Sequence, residues 1–135
     1  LYAPWGKNFV LTMLRLGRER EAISVVDDQR GTPTLALGLA RAIVLMVDTD
    51  AIDTMRGIYH YTDGGECTWH DFACEIMQQA GLACRVEPCT SAERNMRAER
   101  PAYSVLDTAR IAAIKGIDIA PWQERLKEVI SLINR

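Results

Sequence analysis

Ile23-Ser24-Val25-Val26 constrains this chain most: four residues, three of them β-branched, set between two segments of helical periodicity. The run is too short for a helix and reads as a buried strand. Ahead of it, Asn8 is placed to cap a helix from Phe9 to about Glu19, with Phe9, Met13 and Leu16 on one face. Gly17 weakens that helix's last turn. Behind the strand, Asp27-Asp28-Gln29-Arg30-Gly31-Thr32-Pro33-Thr34 is a loop, because Gly31 and Pro33 forbid continued regular structure. Thr34 is then expected to cap a second helix through about Asp48, with Leu35, Leu39, Ala42 and Met46 along one stripe.

The order continues in the same manner. Gly57-Ile58-Tyr59-His60-Tyr61 alternates and runs into Asp63-Gly64-Gly65, which predicts a strand leaving into a turn. Thr68-Trp69-His70-Asp71 has capping-box spacing and opens a helix to about Ala80, stopped by Gly81. Arg85-Val86-Glu87 reads as a weak strand before Pro88. Residues 91–99 are polar without periodicity and read as a mobile surface loop. Tyr103-Ser104-Val105 is a candidate short strand, and Asp107 is placed to cap a small helix ended by Gly116. Pro121 fits the first position of a last helix carrying Trp122, Leu126, Val129, Ile130 and Ile133 as a stripe. Helices alternating with short strands define an α/β or α+β chain of four or five helices.

At 135 residues the chain has the length of one domain, residues 1–135. A formal net charge of −2 supplies no global field for nucleic acid or anionic lipid, so any anion site must be local. The longest apolar run, Ala42 to Val47, is far below the ~20 residues that span a bilayer. The chain opens on Leu1-Tyr2-Ala3-Pro4-Trp5, without Met or a secretory pattern, which suggests a cut inside a longer protein. Cys67, Cys74, Cys84 and Cys89 show no short paired spacing and read as reduced thiols of a cytoplasmic protein.

Three segments invite a ligand. At Gly6-Lys7-Asn8-Phe9 a helix N-terminus offers free N–H groups to an anion, although Asn8 is equally suited to plain capping. Gln29, Arg30 and Thr34 stand where a strand ends and a helix begins, the usual place of ligands in α/β proteins; the alternative is a turn with Asp27 and Asp28 bonded to their own backbone. Arg100-Pro101 holds Arg100 extended, with its fork outward for a diphosphate or simply for solvent. Cys67, His70, Cys74 and Cys84 match no common zinc signature. His60 lacks an acidic or nucleophilic neighbour, Ser104 sits in no nucleophile elbow, and the three tryptophans, Trp5 least clearly, read as packing residues. No glycine-rich phosphate loop follows a strand, and no Tyr precedes a Lys by four residues.

Together these motifs are more specific than each alone. Gly6-Lys7-Asn8-Phe9-Val10, Met13-Leu14-Arg15-Leu16, Ser24 through Thr34, Gly57-Ile58-Tyr59-His60, Thr68-Trp69-His70-Asp71-Phe72-Ala73, Arg100-Pro101-Ala102-Tyr103-Ser104-Val105-Leu106-Asp107 and Pro121-Trp122 occur in one order. That order resembles the dTDP-4-dehydrorhamnose reductase family, over its carboxyl-terminal part only. The resemblance implies the substrate-binding portion of an extended short-chain dehydrogenase/reductase, an α/β fold whose Rossmann cofactor domain is missing here. The family reduces the 4-keto group of dTDP-4-dehydro-L-rhamnose with NADPH or NADH, giving dTDP-L-rhamnose. Its catalytic Tyr and Lys, and a sugar-facing Trp, would lie upstream of Leu1, so no catalytic residue falls in this chain.

The resemblance places Asn8, Gln29, Arg30, Thr34 and Arg100 near the nucleotide diphosphate. Leu35-Ala36-Leu37-Gly38 departs from a stretch that supplies an acidic Mg²⁺ ligand in some members, so no metal is expected. The partners implied are the dTDP-sugar and the missing Rossmann domain, with no nucleic acid and no membrane. An unpaired edge or apolar patch is expected on Ile23 to Val26 or the first helix, open to a dimer contact. The alternatives are a non-catalytic regulatory or binding subunit of the same fold, such as the regulatory subunit of methionine adenosyltransferase, or a related nucleotide-sugar reductase or epimerase.

Overall fold

A computed structural model describes residues 1–49, 53, 55–94 and 98–134. Among them lie helices α1 (Phe9–Glu19), α2 (Ala36–Asp48), α3 (Trp69–Ala80), α4 (Ala109–Ala112) and α5 (Trp122–Ile133). The strands are β1 (Ala22–Val26), β2 (Arg30–Gly31), β3 (Cys67–Thr68) and β4 (Arg85–Cys89). β1 pairs with β4 in parallel, Val25 opposite Pro88, and β2 pairs with β3 antiparallel, Arg30 opposite Thr68. The mixed α/β architecture expected from the alternation is present.

Locally encoded features match the sequence expectation closely. Asn8 caps α1 by accepting the Leu11 N–H at 3.1 Å. At α3 the Thr68 hydroxyl accepts the Asp71 N–H while the Asp71 carboxylate accepts the Thr68 N–H, both at 3.0 Å. Gly81 ends that helix at φ +65°, a left-handed conformation that glycine adopts without steric cost. Thr68→Ala removes one half of this reciprocal cap and should cost about 1–2 kcal/mol in urea unfolding.

α3 is the hub of the packing: α1, α5, β1 and β4 all contact it. Its Phe72 and Ile76 are fully buried, facing Val10 of α1 and Leu126 and Val129 of α5. Gly17 has a packing role as well. A Cβ there would lie 2.5 Å from Met77 Sδ and 2.9 Å from Leu82 Cδ1, so its missing side chain lets α1 approach α3.

Several expectations are corrected. Gly57 to Tyr61 is not a strand, because alternation assigns faces but supplies no partner. Side chains hold the segment instead: Arg110 donates to the Ile58 and Arg56 carbonyls and stacks over Tyr59, 4.1 Å from its ring centroid. Thr34 does not cap α2; its hydroxyl donates to Thr32 O, and Leu35 takes the N-cap position. Pro121 is the N-cap of α5 rather than its first residue, since its ψ of 140° is not helical; the Trp122 N–H that follows donates to Gly64 O. At the candidate strand Tyr103–Val105, only Tyr103 forms a bridge, to Arg30. α4 is N-capped by Thr108, with the Asp107 carboxylate accepting the Ala109 N–H. Residues 91–94 form a turn, while 95–97 of the expected loop lie outside the described residues.

β4 runs through Pro88. The Arg85 N–H donates to Glu21 O, so by alternation position 88 turns its nitrogen away from β1 and needs no donor. Ile23, Val25 and Val26 are buried, which overturns the expected apolar patch there. The exposed apolar face lies on α2, at Ile43, Val44 and Val47, each more than half exposed. Among the described residues no helix is long and apolar enough to cross a membrane.

Candidate functional site

β1 runs out into residues 27–34, and two cavities open beyond its carboxyl end. The first holds about 400 Å³ between Gly31–Thr34, Tyr2, Phe9, Tyr61, Trp69, Phe72 and Leu106. The second, about 470 Å³, is lined by Asp28, Gln29, Ser91, Ala92, Ala98, Glu99, Arg100 and Ala102. Gln29 lines both and is buried, its amide donating to Ser91 Oγ at 2.7 Å. An aromatic-walled compartment and a polar one therefore meet at one side chain.

The five expected site residues separate. Gln29 and Thr34 line the aromatic cavity, and Arg100 lies exposed on the polar one. Arg30 lines neither. The pleat turns Gln29 and Gly31 inward and Arg30 outward, where its Nε donates to Glu66 Oε1 at 3.2 Å. Asn8 also lines neither cavity, and its amide is in use on both sides: Oδ1 at the α1 cap, Nδ2 donating to Ala3 O at 2.8 Å and Trp5 O at 3.1 Å.

Asp27 and Asp28 reach across the fold, and Asp28 is also held by its own backbone N–H. Asp27 accepts the Thr68 hydroxyl at 2.7 Å, and Asp28 accepts both the Ser91 hydroxyl (2.7 Å) and the Ser91 N–H (2.9 Å). These Ser91 bonds hold the Asp28 carboxyl below its usual range. The aromatic walls Tyr2, Tyr61 and Trp69 were not singled out from the sequence. Trp69, expected to be a packing residue, contacts Phe9 at a 4.8 Å centroid distance yet remains 42% exposed beside the cavity.

Among the described residues, the metal-capable trio brought together is Asp27, His70 and Asp71, not the cysteine set weighed for zinc. Two of its members are occupied as hydrogen-bond acceptors for Thr68. Cys67 is buried, and burial pushes its thiol up to about 12, so it resists becoming a thiolate ligand. Native Cys67 should therefore escape iodoacetamide at pH 8 and react only after unfolding. Prompt labelling in the native state, located by peptide mass mapping, would contradict that expectation.

The fold and cleft define an α/β domain with two cavities beyond the end of a parallel strand. The chain belongs to the RmlD substrate binding domain family, whose model matches residues 1–134. It is 37% identical over 130 residues to the spore coat polysaccharide biosynthesis protein SpsK of Bacillus subtilis, covering 96% of this chain and 44% of that protein. A solved dTDP-4-dehydrorhamnose reductase of Clostridium acetobutylicum superposes with a TM-score of 0.88 at 40% identity, over 96% of this chain and 45% of that one. The Bacillus anthracis dTDP-4-dehydrorhamnose reductase, solved in complex with NADP, gives 0.85 at 35% identity, over 97% and 45%. The chain thus spans less than half the length of these relatives.

Proposed function

We propose that this chain is the substrate-binding domain of an NAD(P)H-dependent dTDP-4-dehydrorhamnose reductase, a member of the extended short-chain dehydrogenase/reductases. The substrate is dTDP-4-dehydro-L-rhamnose, whose 4-keto group is reduced to give dTDP-L-rhamnose. The observation that carries this reading is the junction at Gln29 between an aromatic cavity and a polar cavity bearing Arg100, within a chain of this family. A nucleotide sugar has that same division, with flat or weakly polar rings joined through a diphosphate. Gln29, Thr34 and Arg100 are assigned to ligand contact. Asn8 supports the site by fixing the start of α1, and Arg30, paired with Glu66, ties β2 to the loop before β3.

The residues of this chain do not fit a dinucleotide. β1 leads into the carboxylates of Asp27 and Asp28, where a dinucleotide phosphate would need glycines and free N–H groups. NADPH or NADH, the proton-donating Tyr–Lys pair and the hydride step are therefore assigned to the additional length that the relatives carry. The exposed face of α2 is the docking surface assigned to that part, and a second copy of the chain would compete for it.

Calorimetric titration of the 135-residue chain tests the reading. dTDP and dTDP-L-rhamnose should bind and UDP-glucose should bind at least tenfold more weakly, with no NADPH oxidation by the chain alone. Equal binding of all three would redirect the assignment to a broader nucleotide-sugar enzyme. Absence of binding, with the fold intact, would remove the assignment.

A further inference from the structure

Asp63 has no solvent-exposed side-chain surface, yet it lies next to Thr62, which lines the aromatic cavity. Its Oδ2 accepts the Leu35 N–H at 2.7 Å, directly at the start of α2. That helix end has no capping side chain of its own, so Asp63 supplies both an acceptor and the negative charge that a helix N-terminus favours. The other oxygen, Oδ1, has no hydrogen-bond partner among the described residues; Arg125 Nε, also without one, stands 3.7 Å away. Burial pushes the Asp63 carboxyl up, against the opposing effect of the Leu35 bond.

A carboxylate buried this deeply is costly to keep, and what it holds is a junction of the cavity wall. Tyr2 N–H donates to Thr34 O, and Ala36 N–H donates to Tyr2 O, so Leu35 is flanked by the two bonds that tie Tyr2 to the end of the 32–34 turn and to the first residue of α2. Thr34 itself is buried and lines the cavity. We infer that Asp63 is a positioning residue for the ligand cavity: by holding the Leu35 N–H it fixes the 32–34 turn and sets Thr34 toward the ligand. The ligand part of this inference rests on the reading of the cavity as the dTDP-sugar site.

The test separates the hydrogen bond from the buried charge. Asp63→Ala alone removes the hydrogen bond and the buried charge facing Arg125 together, leaving Arg125 to Asp118 and Glu128, so substitutions are compared in an Arg125→Met background. Asp63→Asn/Arg125→Met keeps an oxygen for the Leu35 N–H; Asp63→Ala/Arg125→Met does not. In ¹H–¹⁵N spectra the Leu35 amide should shift and lose exchange protection, and the Thr34 amide should shift, in the Ala double variant, both returning toward wild type in the Asn one. dTDP affinity, by titration, should fall at least tenfold in the Ala double variant and stay within about threefold of wild type in the Asn one. Equal behaviour of the two double variants, in amides or in affinity, would overturn the inference. If wild type shows no dTDP binding, the cavity assignment falls, and the positioning role is decided by the Leu35 and Thr34 amides alone.

Discussion

Phe72→Ala should lower the unfolding free energy by about 3–5 kcal/mol, the range for removing a large aromatic from a close-packed core. The ring is 2% exposed and sits between three others. Tyr2 and Phe9 have their centroids 5.5 and 5.6 Å away, and Trp122 meets it edge-on at 5.5 Å. Because Phe72 also walls the aromatic cavity, the variant should bind dTDP more weakly even where it remains folded. Urea unfolding monitored by circular dichroism measures the first effect. A loss below about 1 kcal/mol would mean that the neighbours collapse into the space and that α3 is not the hub described.

Arg100→Ala should weaken dTDP binding by roughly ten- to a hundredfold, since a charge-assisted bond to phosphate is worth about 1.5–3 kcal/mol. In a full-length reductase of this family the same change should raise the substrate KM with little effect on kcat if the contact forms equally in ground and transition states. Arg100→Lys should restore only part of the loss, as an ammonium lacks the two-pronged geometry. Asp28 and Glu99 share the polar cavity with Arg100, and an approaching diphosphate must compete with them. Unchanged affinity in the Ala variant would return Arg100 to an ordinary solvated side chain.

What could be read in advance follows the range of the interactions. The Asn8 cap, the Thr68–Asp71 box and the Gly81 stop involve residues three or fewer apart, or a single backbone conformation, so their spacing is visible in sequence. Gln29 and Thr34 were legible as cavity-lining residues because a strand end followed by a helix start marks the place. Arg30 was not, since the pleat that turns it outward is set by pairing with Thr68, thirty-eight positions on by numbering (68 − 30). Asp27 and Asp28 find their partners 41 and 63 positions away, and no local pattern announces such contacts. Trp69 and Tyr2 escaped notice for a different reason: an aromatic side chain looks the same in sequence whether it fills a core or walls a cavity.

Both outer margins of the β1–β4 pair are interrupted. On the β4 side Pro88 removes a donor from the outer edge. On the β1 side the outward carbonyl of Ser24 is taken by the Arg94 guanidinium. A neighbouring molecule that tried to add a strand would meet a gap at one margin and a bulky cation at the other. Any self-association of the chain would then fall to the exposed apolar flank of α2, helix against helix. Oligomers formed at high concentration should accordingly stay helical by circular dichroism, leave thioflavin T dark, and dissolve on dilution, the behaviour of a reversible solution assembly rather than of a fibril.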